Sequence, residues 1–570
     1  MVRRWRAVEQ FRRHPRAAVA RTVPRNSNLP RSGCIALDAA KAAYESVPYT
    51  SHAFAQTHPR RLATLGRYFG LPAAPFSGCR VLELGCAAGG NLLPMAIESP
   101  QGRFVGVDLS GRSLAEARAA VGELGLANVE LFEADLVHWE YAGPPFDYVI
   151  AHGLYSWIPA AAQRRLFAIC QRHLSPSGIA YVSFNTLPGW SLRGAVRDYL
   201  RFATADCLDA GDATAAVQAA REQLSWLTRA SASQRAPQVA FVRSEAERLA
   251  GLSDDYLMHE FLAVDNRPRY LHEFLSEAAE HGLKFLGEAE FSWMTGADLP
   301  PESLAAIRAR SRGTEQFEQF LDFARWQMFR QTLLCRDSAT LLRDPPPDAL
   351  FPLWFAADMQ AEPPRHPLSN GEAVAFQRPQ SRLSTSVPIA KAALLTLAGT
   401  WPRWWPFERL LRASLQRLGI TAPADMPTAA LPLARDLAET LRRAWGIALI
   451  EASAEPPPVA AEVGERPCAS VWARRAARRT SWVPNQAHAV RVLNGFQRML
   501  LAQLDGYQDR NALLGWLETL ERQSRDQLAL TDARGQPITD PNRIRVVLGE
   551  TLDRTLGELR QLGFLASPSE

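Results

Sequence analysis

A doubly wound α/β fold, a parallel sheet with helices on both faces, is what this sequence predicts for its N-terminal third. Three observations carry that expectation. Short apolar runs alternate with helical stretches from Arg80 onward, the first run ends in a turn of small residues, and acids stand at the ends of the second and third runs. Strands separated by single helices need right-handed crossovers, and the resulting parallel sheet has its ligand crevice at the carboxyl ends of the strands.

The first strand, Val81-Leu82-Glu83-Leu84, runs into Gly85-Cys86-Ala87-Ala88-Gly89-Gly90-Asn91, and a helix follows through Leu92 and Leu93. Gly85 and Gly89 permit the tight turn and a close approach of backbone to ligand. Ala87 stands where a dinucleotide fingerprint has glycine. The second strand, Phe104 to Val107, ends at Asp108-Leu109, where an acid can accept both hydroxyls of a ribose. Leu114, Ala117, Val121 and Leu124 then share one helix face. The third strand, Val129 to Phe132, leads to Ala134-Asp135-Leu136, a carboxylate within reach of an adenine amino group. The fourth, Tyr148 to Ala151, is followed by His152, a helix over 160–174, and the fifth strand, Ile179 to Ser183. Glu83, inside the first strand, suits a ligand bearing a positively charged amine and would repel a pyrophosphate.

The 570 residues suggest about three to five domains. Residues 1–36 read as a basic, disordered extension, 37–205 as the nucleotide-binding domain, 206–344 as a helical domain and 345–455 as a mixed α+β domain. Residues 456–485, opening on Pro456-Pro457-Pro458 and carrying the Arg474–Arg479 run, read as a linker, and 486–570 as a helical module.

Mean hydropathy of −0.17 is that of a globular chain, and no apolar stretch is long enough to span a membrane. A balance of 64 basic to 59 acidic residues is too even to argue for nucleic acid, and it leaves that partner open. Cys34, Cys79, Cys86, Cys170, Cys207, Cys335 and Cys468 include no C-x-x-C pair, so a reducing, cytoplasmic setting is expected without zinc or disulfides.

The set from Gly78 to Phe184 resembles the class I S-adenosylmethionine-dependent methyltransferases. The resemblance implies a Rossmann-like sheet, S-adenosylmethionine as cofactor, and cofactor roles for Glu83, Gly85, Gly89, Asp108 and Asp135. Cys86, Ala87, Asn91, Leu109, Leu136 and His152 flank them and complete the candidate site. Around that core stand Tyr44-Glu45-Ser46-Val47-Pro48-Tyr49, Asn185-Thr186-Leu187-Pro188-Gly189-Trp190, His259-Glu260-Phe261-Leu262 and Phe329-Arg330-Gln331-Thr332. These look like bacterial methyltransferases that carry a methyltransferase regulatory domain, among them enzymes that methylate lysines of surface proteins. That likeness implies a protein substrate and lysine N-methylation, with 206–344 as the helical regulatory domain and 345–455 as a winged-helix-like α+β domain. A small-molecule or RNA methyltransferase, a cofactor-binding scaffold or sensor, and a homodimer all stay open.

Methyl transfer from a sulfonium is an in-line displacement that mainly requires alignment and exclusion of water, so neither a metal nor a catalytic triad is expected. The acceptor-side candidates are His152, Tyr155 and Trp157, after the fourth strand, with Tyr44 and Tyr49 as a lid over the cofactor. The segment Ala151-His152-Gly153-Leu154 lacks the Asn/Asp-Pro-Pro-aromatic pattern of amide and adenine N-methyltransferases, which argues against a base-flipping DNA enzyme.

Overall fold

The structure is a computed structural model. It describes residues 50–362, 371–422, 430–523 and 538–567, together with Glu45, Val47 and Leu368. Tyr44, Tyr49 and the basic extension lie outside the described residues.

The five expected strands form β1 (Arg80–Leu84), β2 (Arg103–Asp108), β3 (Val129–Glu133), β4 (Phe146–Ala151) and β5 (Leu174–Asn185). They pair in parallel in the order β3-β2-β1-β4-β5. The strand order reverses between β1 and β4, so the carboxyl ends of those two strands flank the crevice in which such sheets bind ligands. Two further strands, β6 (Leu283–Glu288) and β7 (Phe329–Arg336), complete a seven-stranded sheet in which β7 runs antiparallel to both β5 and β6. The sheet therefore does not end near residue 205. What lies between β5 and β6 is a helical insertion, and its helices Trp190–Ala203, Ala213–Ser231 and Pro237–Ala250 build a core of their own around Leu200, Leu224, Leu249 and Phe261.

A buried charge cluster ties β6 and β7 to the helix Thr314–Arg325. Arg330 of β7 meets Glu288 of β6 at 2.6 Å, Asp322 at 2.9 Å and Glu318 at 3.2 Å. Glu288 also accepts from the Thr332 hydroxyl at 2.7 Å and the Gln331 N–H at 3.0 Å. All four charged side chains are buried. Burial lifts the Glu318 carboxyl to about 7 and the Asp322 carboxyl to about 6, although Arg330 pulls both down.

The described residues of 345–455 pack short antiparallel strands and the helices Pro388–Thr400, Phe407–Arg417 and Leu431–Gly446 against one face of the sheet. Their core is continuous with Leu62, Tyr68, Tyr148 and Ile150. Residues 456–485 differ from the expected linker. Val471–Arg479 is a helix capped by the Ser470 side chain, which accepts from the Ala473 N–H. Trp472, Ala473 and Ala477 give it an apolar face, and two of its four arginines, Arg475 and Arg479, reach Glu123 on the helix that follows β2, at 2.9 and 3.5 Å. With the helices Gly495–Leu501, Arg510–Gln523 and Pro541–Gln561 and the hairpin of Trp482–Pro484 with Val490–Val492, it forms a C-terminal module around Leu504, Leu517, Leu552 and Phe564. No helix among the described residues is long and apolar enough to cross a membrane.

Candidate functional site

A cavity of about 500 Å³ opens at the carboxyl ends of β1, β2 and β4 and extends to the inserted helices. Glu83, Gly85, Cys86, Ala87, Asn91, Asp108, Leu109, Asp135, Leu136, His152 and Trp157 all line it. Gly89 shapes the turn from behind, with a φ of 75°. Ala87 takes φ 45°, the left-handed conformation that glycine adopts freely, and its N–H donates to Asp108 Oδ2 at 2.8 Å. The Ser110 N–H donates to Asp108 Oδ1, also at 2.8 Å. Asp108 thus braces two loops while facing the cavity, and burial lifts its carboxyl above the usual range against the pull of those two N–H groups.

Glu83 is 4% exposed. Its Oε1 accepts from Asn91 Nδ2 at 2.7 Å, whereas its Oε2 is buried with no hydrogen-bond partner. Burial raises this carboxyl to about 8. An unsatisfied buried carboxylate is costly, and a cationic ligand is what would hold it ionised.

The roof is the strap Thr50–Phe54. Gly90 N–H donates to Ser51 Oγ at 2.8 Å, and the Phe54 N–H to Asn91 Oδ1 at 2.9 Å. Thr50 is anchored on the insertion, where its N–H and hydroxyl both reach Asp255 Oδ2, at 3.0 and 2.6 Å. Gly90 is required by that approach, since a Cβ there would sit 2.4 Å from the Ser51 carbonyl oxygen.

The three acceptor-side candidates separate. His152 is at the cavity, its Nδ1 2.9 Å from the Tyr181 hydroxyl and its ring 3.9 Å from that of Phe54. Burial pushes its pKa down to about 4, so it is neutral and a poor proton acceptor at neutral pH. Trp157 lines the cavity edge-on to Trp190, 6.2 Å between ring centroids. Tyr155 is placed elsewhere: it is fully buried among Phe167, Phe184 and Phe274, and its hydroxyl reaches Glu277 at 3.0 Å. The 3₁₀ turn Tyr155–Trp157 sends these two rings in different directions.

The insertion contributes Trp190, Arg193, Tyr256, His259, Glu260 and Asp265 to the cavity lining. Glu260 lies on a single π-helical turn, Leu257–Leu262, a distortion that recurs at functional sites. Burial raises its carboxyl to about 7 despite Arg193 and Arg248. Both arginines pair instead with Glu245, at 3.0 and 2.7 Å. Glu260 is not among the site residues expected from the sequence. The signal available was its place inside the quoted His259-Glu260-Phe261-Leu262 motif.

Comparison with known proteins gives three family matches. A methyltransferase domain matches residues 81–178, a predicted methyltransferase regulatory domain 253–336, and a PKMT C-terminal winged helix domain 465–564. An uncharacterized protein of Rickettsia prowazekii, RP789, is 30% identical over 510 residues, covering 88% of this chain and 90% of that one. The structure of PKMT2 from Rickettsia typhi in complex with AdoHcy superposes with a TM-score of 0.79 at 26% identity, covering 91% of this chain and all of that one. The chain belongs to the class I S-adenosylmethionine-dependent methyltransferases.

The winged helix domain match falls on the C-terminal module, downstream of the 345–455 segment that the family resemblance led us to expect as winged-helix-like. The match to the regulatory domain takes in β6 and β7, so that part of the chain finishes the sheet. The cofactor is S-adenosylmethionine, and the cavity fits it. Glu83 Oε2 could take its ammonium, Asp108 its ribose and Asp135 its adenine amino group, with Gly85 and Ala87 presenting backbone.

Glu83→Gln is expected to weaken cofactor binding by about 1.5–3 kcal/mol, the range for hydrogen bonds to charged groups. A carboxyl at about 8 is mostly protonated at pH 7, and pairing with an ammonium ionises it. Binding at pH 7 should therefore release close to one proton, and affinity should rise roughly tenfold per pH unit up to about 8. Calorimetry in buffers of different ionisation enthalpy reads the released proton, which Glu83→Gln should abolish.

Proposed function

We propose that this methyltransferase transfers its methyl group to the side-chain amine of lysine residues in protein. The observation that carries the reading is the acid that the insertion contributes to the cavity: Glu260 lines it together with Tyr256, Trp157, Trp190 and Asp265, while Arg193 in the same lining is paired with Glu245. A carboxylate among aromatic rings suits an ammonium on a long apolar stem and would disfavour a phosphate-bearing acceptor. The likeness to PKMT2, and to the winged helix domain named for that group, supports the same reading.

Bound cofactor supplies a methyl group on a sulfonium, a leaving group that needs no further activation. The protein's own task is the amine. A lysine with pKa about 10.4 is neutral in roughly 1 molecule in 2,500 at pH 7, and deprotonation costs about 4–5 kcal/mol. Glu260, poised at about 7, can hold the ammonium and accept its proton while the cavity desolvates the amine. His152 and Trp157 wall the approach to the cofactor, and the strap with Phe54 excludes water.

The test is methyl-labelled cofactor added to the purified protein and a bacterial lysate. Label should enter protein and, after acid hydrolysis, appear in methylated lysine by mass spectrometry. Label confined to RNA or to small molecules would refute the reading.

A further inference from the structure

Asn91 joins the strap and the winged-helix domain at the cofactor site. Its Oδ1 receives the Phe54 N–H of the strap at 2.9 Å and the Thr57 hydroxyl at 3.1 Å, and lies 2.8 Å from Nε2 of His488, 397 residues away in the winged-helix domain. Its Nδ2 donates to Glu83 at 2.7 Å. The amide has one self-consistent orientation. The Phe54 N–H can only donate, so oxygen faces it, and the amide nitrogen faces the carboxyl. His488 must then carry its proton on Nε2 and donate it to Asn91.

The wing turn is shaped to deliver this side chain. His488 takes φ 60°, a left-handed conformation that L residues other than asparagine and aspartate rarely adopt. The surrounding turn holds it there: Asn485 Oδ1 accepts from the Ala487 and Ala489 N–H groups, each at 3.0 Å, and Asn485 Nδ2 donates to the Leu562 carbonyl at 2.7 Å. His488 is 3% exposed, and burial together with the nearby His58 and Arg60 keeps its ring neutral, the form that has one donor to give. A second contact runs beside it, where Trp482 of the same hairpin lies 5.7 Å from the ring of His52 in the strap.

We infer that His488 is a positioning residue for cofactor binding: through Asn91 it orients Glu83 and the strap, so the methyltransferase site is complete only when the winged-helix domain is docked. A packing role alone would not need a strained histidine aimed at the amide that holds Glu83. The inference rests on Glu83 taking the cofactor's amine.

Calorimetry with S-adenosylhomocysteine and hydrogen exchange on the full chain test it together. His488→Ala is expected to raise Kd about tenfold while the protein stays folded, and His488→Gln, which keeps a donor, should recover most of the loss. In the wild-type protein the ligand should slow amide exchange across 482–492, since coupling between two sites is reciprocal. His488→Ala should lose that protection. Wild-type affinity in His488→Ala, or exchange across 482–492 indifferent to ligand in the wild type, would overturn the inference, and the exchange measurement stands even if the alanine variant does not fold. Glu83→Gln separates the two claims. Unchanged Kd there removes the Glu83 reading and the inference with it, whereas a weakened Glu83→Gln beside an intact His488→Ala removes the inference alone.

Discussion

Replacing Arg330 by methionine is expected to cost the fold about 3–5 kcal/mol, the usual penalty for removing one partner of a buried charge cluster. Arg330 is the cation shared by Glu288, Glu318 and Asp322, and all four side chains are at most 4% exposed. Methionine fills much of the same volume but leaves three carboxyls and the Thr332 hydroxyl to satisfy one another. The loss should depend on pH, and its sign follows from the two raised carboxyls. Glu318 at about 7 and Asp322 at about 6 hold protons in the folded chain that an unfolded chain, with carboxyl pKa values near 4, has given up. The folded state binds more protons, so this part of the stability is present at low pH and declines as pH rises from about 4 to about 7. Without Arg330 both pKa values rise further, and neutral carboxyls are easier to bury. Denaturant unfolding of Arg330→Met should therefore show a smaller deficit at pH 6 than at pH 8. A deficit below 1 kcal/mol, or one that does not change with pH, would count against the account.

That cluster also shows where the sequence stops being readable. β1 to β5 are legible because each is a short apolar run, and the site at their carboxyl ends is legible because Glu83, Asp108 and Asp135 stand at or beside strand ends where no core demands them. β6 and β7 are hidden by Lys284 and Arg330, charges that break the apolar pattern and that the tertiary structure then buries or half-buries. Tyr155 and Trp157 are two residues apart, and only the 3₁₀ turn decides which faces the core. The Arg474–Arg479 run looks like a solvated tether because its acid, Glu123, lies about 350 residues upstream. His488 has no local signature at all, since its partner is 397 residues away and its meaning comes from docking of one domain on another.

Glu260→Gln carries the other large effect. If this carboxylate takes the proton of the acceptor amine, the variant should lose about 10²- to 10⁴-fold in methyl transfer, the usual worth of a positioned acid or base. Cofactor affinity should stay where it was, because the Glu83, Asp108 and Asp135 end of the cavity is untouched. The pH profile separates a proton acceptor from a wall residue. kcat/KM reports groups of the free enzyme, so in the wild type it should climb with pH until Glu260 ionises near 7 and then level off. In the glutamine variant no base remains to receive the proton, and productive encounters fall to the small fraction of lysine that arrives neutral. Its kcat/KM should then keep rising beyond pH 9, toward the lysine pKa of about 10.4. Two profiles that coincide would exclude Glu260 as the acceptor of the proton. A rate loss without any change of profile would reduce it to holding the ammonium in line with the methyl group, a contribution from alignment rather than from proton transfer.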